Sequence, residues 1–212
     1  MTTKEQHPGR IGRLRSRQAG HPSGLLGRIV GRAMVKDTAA ANDHALELLA
    51  LDAPTTVLEV GFGQGRTAAK LLAAGHQVLG VEVSATMVRQ ATARNRAACA
   101  DGRAELVAGN GRTLPFADRS AAAALTVHTV YFMPDPAVTV TEIARVLQPG
   151  GRLAMAARIG DDPMPAWMDP AIYRIPTAAR IDELFGQAGF EVEHHSPEDS
   201  HSTHLFVGRL PA

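Results

Sequence analysis

An α/β fold, a parallel sheet covered by helices on both faces, is predicted from three features of the sequence. From residue 55 onward, short apolar strand-like runs alternate with amphipathic helix-like ones. A glycine-rich turn, Glu59-Val60-Gly61-Phe62-Gly63-Gln64-Gly65, joins the first strand directly to a helix. The 212 residues, 45% of them apolar, suffice for one such domain with a sizeable core and are tight for two.

Strands are predicted at 55–60 (TTVLEV), 77–83 (QVLGVEV), 104–108 (AELVA), 121–127 (AAAALTV) and 152–157 (RLAMAA). Helices fall between them at 65–74, 84–98 and 135–147, with Ser84 as the N-cap of the second. A helix at 177–188, stopped by Gly189, and strands at 190–195 and 203–209 complete the pattern. Ahead of the alternation, Asp37 or Thr38 opens a helix to about Leu51, with Ala41, Ala45, Leu48 and Leu49 on its inner face. Residues 1–20 carry few apolar side chains and read as mobile. The segment GLLGRIVGRAMVK places Leu25, Leu26, Ile29, Val30 and Met34 at near-helical spacing, suited to docking on the body. Residues 158–175 hold Pro163, Pro165 and Pro170 among Met164, Trp167, Met168 and Tyr173, poor core material but a plausible cap over a pocket. The expected organisation is a basic arm or lid at 1–36 and a catalytic domain at 37–212 with that cap.

Composition narrows the classes. Aromatic residues are 4% of the chain, and no apolar run approaches the roughly 20 residues that span a bilayer. The basic N-terminus has no apolar segment behind it, so it is not a secretory signal. A single cysteine, Cys99, excludes an internal disulfide and a multi-cysteine metal site, and a cytoplasmic protein is expected. The net charge of +1 hides an asymmetry. Residues 1–36 carry eight Lys and Arg against Glu5 alone, or +7, and the remainder carries −6. Such an arm suits phosphates, but it lacks interleaved aromatics and is followed by an acidic body, so a solvated or lid-forming arm is favoured.

Glycines at alternate positions let the chain turn sharply from strand to helix and let a ligand lie against bare backbone. The turn lies at the carboxyl end of the first strand, where open α/β sheets bind ligands. A dinucleotide fingerprint wants a sixth-position glycine, and this chain has Arg66 there. Glu82 ends the second strand, where a carboxylate accepts both hydroxyls of a ribose. After the third strand comes VAGNGRTLPFAD, and after the fourth VHTVYFMPDP, a helix, and EIARVLQPGGRL. These motifs, in this order over residues 55–157, resemble the class I S-adenosylmethionine-dependent methyltransferases of the small-molecule branch.

The resemblance implies a Rossmann-like three-layer sandwich whose seven-stranded, mostly parallel sheet runs 3-2-1-4-5-7-6 with the last strand antiparallel. It implies S-adenosylmethionine as cofactor, S-adenosylhomocysteine as product and a small-molecule methyl acceptor as partner. Glu59 would fix the loop and the donor's amino end, Gly61, Gly63 and Gly65 would make room, and Glu82 would hold the ribose. Asn110 stands where the family has an acid; with Gly111 it would meet the adenine edge, and Val83 and Leu114 would sandwich the ring.

Residues 127–132 then face the methyl group. No N/D-P-P-Y/F motif, Pro-Cys pair or strand-tip acid occurs there, which argues against amino-methylation of bases, a covalent cytosine mechanism and a divalent metal. His128 is the imidazole placed to meet an acceptor, either as general base or by shaping the pocket. Tyr131 either orients the acceptor or forms wall. His21, His44, His194, His195, His201 and His204 read as ordinary surface or core histidines. Two alternatives to catalysis of small-molecule methylation are a non-catalytic binding module on this fold and an RNA methyltransferase gripping phosphates with the arm.

Overall fold

Central strands that are largely apolar must be buried on both faces, and a computed structural model shows how they are. It describes residues 9–195 and 203–212, with the backbone alone for 25–37. Seven strands form one sheet: β1 (Thr56–Val60), β2 (Gln77–Glu82), β3 (Ala104–Ala108), β4 (Ala121–Val127), β5 (Leu147–Ala157), β6 (Glu191–His195) and β7 (His204–Arg209). Their order is β3-β2-β1-β4-β5-β7-β6, with β1 to β5 parallel and β7 antiparallel to both neighbours. The expected order and the antiparallel last strand are both present.

The period-2 alternation divides the core into two layers. On β5, Leu153, Met155 and Ala157 join one apolar cluster, and Ala154 and Ala156 join the other. The first layer is closed by Val140, Ile143 and Val146 of α6 (Pro136–Val146) and by Ile181, Leu184 and Phe185 of α7 (Ala178–Gln187). The second is closed by Ala41, Ala45 and Leu49 of α2 (Gly24–Leu49) and by Ala68, Leu71 and Leu72 of α3 (Arg66–Ala73). Side-chain caps start three helices: Ser84, as expected, bonds the Met87 N–H, and Asp135 and Thr177 likewise bond the Val138 and Arg180 N–H groups.

Several expectations are corrected. Residues 10–20 are not loose but form α1 (Arg10–Gly20), held by tertiary contacts that a local reading does not see. Buried Ser16 donates to the Trp167 carbonyl (3.4 Å) and accepts the Asp169 N–H (3.1 Å), fastening α1 to the segment 158–175. The helix expected from Asp37 begins at Gly24, so the boundary expected at 36/37 falls inside α2. The proposed docking of Leu25, Leu26, Ile29, Val30 and Met34 lies outside the described side chains, as does His201.

The helix expected over 84–98 breaks into α4 (Ala85–Arg94) and α5 (Arg96–Ala100). At the break Asn95 turns its amide onto the carbonyls of Gly65 (3.1 Å) and Ala91 (3.0 Å). β5 starts earlier than expected, at Leu147, with a shift in pairing where Gly150 takes φ +74°. The segment 158–175 is partly core after all: Met168 and Tyr173 are buried in the first cluster, and of its large apolar side chains only Met164 and Trp167 are exposed.

Candidate active site

The carboxyl ends of β1, β2 and β4 converge on one cavity of about 380 Å³, a size typical of small-molecule sites. Its floor is the turn after β1. Gly61 and Gly63 have φ of +82° and +53°, a region open to glycine at no steric cost. A Cβ on Gly61 would lie 2.1 Å from the Thr129 methyl, whereas one on Gly63 would meet nothing within 4 Å and project into open space. Gly61 thus permits a close approach of two strand tips, and Gly63 leaves bare backbone toward the cavity.

Two carboxyl groups flank this floor. Glu82, 8% exposed, accepts the Gly63 N–H on Oε2 (3.1 Å) and the Ser84 N–H on Oε1 (2.9 Å). Each oxygen keeps lone-pair capacity for a further donor. Burial pushes its pKa up, against the pull of those N–H groups and of nearby His21. Glu59, 4% exposed, is pushed up to about 8, first by burial and then by the Glu82 charge, with Thr67 and Ala68 acting in the opposite sense.

Two polar atoms of the cavity wall are buried without a hydrogen-bond partner, Glu59 Oε2 and Gln64 Nε2. One is an acceptor and the other a donor, the complement of the ammonium and carboxylate of an α-amino acid. With a ribose-type acceptor at Glu82 and bare backbone at Gly63, the residues present fit S-adenosylmethionine.

The remaining wall comes from Val83 on β2's tip, from Gly109, Asn110 and Gly111 after β3, and from His128, Thr129, Phe132, Met133 and Pro134 after β4. Val83 is 45% exposed, an apolar side chain left open at a strand tip. The Asn110 Oδ1 accepts the Arg112 N–H at 3.1 Å, closing a local turn and keeping one lone pair. The roof is Ala19, Gly20, His21 and Pro22, with Thr38, Asn42 and Asp43 of α2. It is tied down where Ser84 donates to the Pro22 carbonyl and where Phe132 packs against Gly20.

Three of the expected site residues do not line this cavity. Gly65 instead lets helices meet, since a Cβ there would lie 2.7 Å from that of Ala91 and 2.8 Å from the Asn95 amide. Leu114 is 2% exposed in the core, with its N–H on Glu142 Oε2. Tyr131 is 1% exposed, and its hydroxyl accepts the Arg158 N–H (2.5 Å) and meets His128 Nδ1 (2.9 Å). Nor does the segment 158–175 touch the cavity: it carries α1, and α1 ends in the roof.

His128 lines the cavity at a left-handed φ of +55°, rare for a residue with a side chain. Its Nδ1 meets the Tyr131 hydroxyl, and its Nε2 lies 3.3 Å from Thr203 Oγ1. Burial, then the Arg158 charge, lowers its pKa to about 4, so the ring is neutral with both nitrogens engaged. Outside the cavity lining, His194, His204 and Asp162 form a hydrogen-bonded chain of 2.9 and 3.0 Å.

The sequence reading missed Asn42, Gln64 and Thr67. Asn42 donates to the Thr38 carbonyl (2.8 Å) and accepts the Thr67 hydroxyl (2.9 Å), linking α2 to the start of α3. Its only sequence signal was a polar residue beside the Ala41–Ala45 stripe.

Comparisons with known proteins agree with this geometry. Residues 58–155 match a family model described as a methyltransferase domain. The O-methyltransferase resE of Aspergillus sclerotiorum is 31% identical over 144 residues, covering 64% of this chain and 54% of that protein. The 24-methylenesterol C-methyltransferase 2 of Oryza sativa subsp. japonica is 27% identical over 157 residues, covering 74% and 41%. The chain spans about half the length of these curated relatives. Among solved structures, a methyltransferase of Haloferax volcanii in complex with the Trm112 activator superposes with TM-score 0.71 at 24% identity, over 88% of this chain and 95% of that one. The [4+2]-cyclase SpnF superposes with TM-score 0.68 at 20% identity, over 97% and 98%, so the fold is shared beyond methyl transfer. Residues 58–155 are thus similar to a methyltransferase domain, and they sit on a sheet whose strand order and motifs resemble those of the class I S-adenosylmethionine-dependent methyltransferases.

Proposed function

We propose that the protein transfers the methyl group of S-adenosylmethionine to an oxygen, nitrogen or carbon of a small-molecule acceptor in the cytoplasm, leaving S-adenosylhomocysteine. The observation that carries this reading is the pairing of two buried carboxyl groups, Glu59 and Glu82, across an open glycine turn in one cavity. When bound, the donor supplies an electrophilic methyl on a sulfonium, open to in-line displacement.

The chain's own residues bind and orient. Glu59 Oε2 takes the donor's ammonium and Gln64 Nε2 its carboxylate, each gaining the partner it lacks. Glu82 takes the ribose hydroxyls, Gly61 and Gly63 leave room, and Val83 covers one face of the adenine. Asn110 and Gly111 meet the adenine edge. Holding the reacting atoms in line supplies most of the acceleration that such a displacement needs.

His128, with both nitrogens engaged, shapes the acceptor end rather than accepting a proton, and Tyr131 positions His128. Gly20, His21 and Pro22 close the site against water. A cavity near the small end of the usual range of about 300–1,000 Å³ favours a small acceptor over RNA or protein.

Calorimetry with S-adenosylmethionine, S-adenosylhomocysteine and NADH tests the donor: the first two are expected to bind with about micromolar Kd and NADH not at all. Incubation with methyl-labelled donor and fractionated cell extract tests the transfer. Label is expected in the small-molecule fraction; label confined to RNA or protein, or none, overturns the proposal.

A further inference from the structure

Soluble proteins seldom leave several large apolar side chains exposed close together. Five such side chains are exposed among the described residues: Ile11, Leu14, Val83, Met164 and Trp167. Val83 belongs to the cavity. The other four lie on α1 and on the segment 158–175 that α1 is fastened to.

At about 100° per residue, Ile11, Leu14 and Gln18 fall on one side of α1, opposite buried Ser16 and half-buried Gly12 and Ala19. Ile11 is 77% and Leu14 48% exposed, so this stripe faces outward and covers nothing among the described residues. Arg10 and Arg17 flank it on one side and Arg15 on the other, with Arg13 further round. Arg13 approaches Asp169 at 3.9 Å, and the Arg15 guanidinium lies 5.0 Å from the centre of the Trp167 ring, which extends the patch. α1 contains no acidic residue.

An apolar stripe edged by arginines is the arrangement of a helix that lies in the plane of a lipid surface. Its apolar side chains enter the acyl boundary while the guanidinium groups reach back to anionic headgroups. A nucleic acid would satisfy the arginines and leave Ile11 and Leu14 against water or phosphate. A second copy of the chain would oppose arginine with arginine. From this charge and apolar pattern we propose that α1, with Trp167 beside it, seats the protein on an anionic membrane surface.

Sedimentation of the full chain with lipid vesicles tests it. Binding is expected to vesicles of phosphatidylcholine containing about 30% phosphatidylglycerol and to be lost with pure phosphatidylcholine. Raising salt from about 0.1 to 0.5 M is expected to weaken it. The double variant Ile11→Ser/Leu14→Ser is expected to lower partitioning at least about tenfold. Arg10→Gln/Arg17→Gln is expected to lower it and flatten the salt dependence.

Both pairs are exposed and outside the cavity, so circular dichroism and donor affinity of the variants are expected to match the wild type. Failure of the wild type to bind anionic vesicles overturns the proposal. So does unchanged binding by Ile11→Ser/Leu14→Ser, or displacement from vesicles by polyuridylate that binds Ile11→Ser/Leu14→Ser as tightly as the wild type and Arg10→Gln/Arg17→Gln more weakly.

Discussion

Replacing Glu59 by Gln should change how stability depends on pH, in a window the structure defines. In the folded protein burial and the Glu82 charge hold the Glu59 pKa at about 8, against 4.5 in an unfolded chain. Between those values the native state keeps a proton that the unfolded state has released. Stability therefore falls by about 1.4 kcal/mol per pH unit as pH rises. His128 works the other way, because its pKa drops from 6.5 to about 4 and stability is lost as pH falls through that range.

The two slopes nearly cancel from about pH 4.5 to 6.5, leaving Glu59 alone from about 6.5 to 8. Across that upper window the wild type is expected to lose about 2 kcal/mol relative to Glu59→Gln. Glu82, also raised by burial, is common to both proteins and drops out of the difference. Urea unfolding at half-unit pH steps measures it. Parallel profiles for the two proteins between pH 6.5 and 8 would show that Glu59 is ionised in the native state and refute the reasoning.

Further outcomes follow from the same geometry. Calorimetry of S-adenosylmethionine binding at pH 7, in buffers of different ionisation enthalpy, should report release of about one proton by the wild type and none by Glu59→Gln. Glu82→Ala should weaken donor binding by about 1–3 kcal/mol, and unchanged affinity would remove the ribose from that site. Gly61→Ala should cost about 2–4 kcal/mol of stability, because its Cβ has no room beside Thr129 at a left-handed φ; Gly63→Ala should cost nearer 1 kcal/mol and act on donor affinity instead. Tyr131→Phe should cost about 1–3 kcal/mol by orphaning the buried Arg158 N–H, with donor Kd unchanged, as calorimetry and urea titration together would show.

The sheet was legible because its central strands are largely apolar and are separated by helix-like segments, one of them opened by a cap that shows in the sequence, Ser84. The donor half of the site was legible because a glycine turn and a strand-tip acid carry a backbone requirement that shows in one dimension. α1 was not: RIGRLRSRQAG has only two large apolar residues, both pointing outward, and its stability comes from the Ser16 hydroxyl meeting a backbone 150 residues away in sequence. Gly65, Leu114 and Tyr131 sit in motifs that read as ligand contacts. Whether such a residue faces the cavity or the core is decided by packing, and here Ala91, the α6 layer and Arg158 claimed them. Asn42 belongs to no motif, since a lone polar side chain near an apolar stripe has no local signature, and Gln64 lies within the glycine turn at a position whose side-chain direction the sequence does not give.

The roof over the cavity is drawn from the first two helices, whereas the floor is made by the strand tips that follow. Gly20, His21 and Pro22 reach it as the end of a rod hinged at Ser16 and pinned at Ser84. Such a division makes the leading helices an exchangeable module. Grafting a different opening segment onto this scaffold would retarget it to new acceptors while the machinery that grips the nucleoside stays untouched.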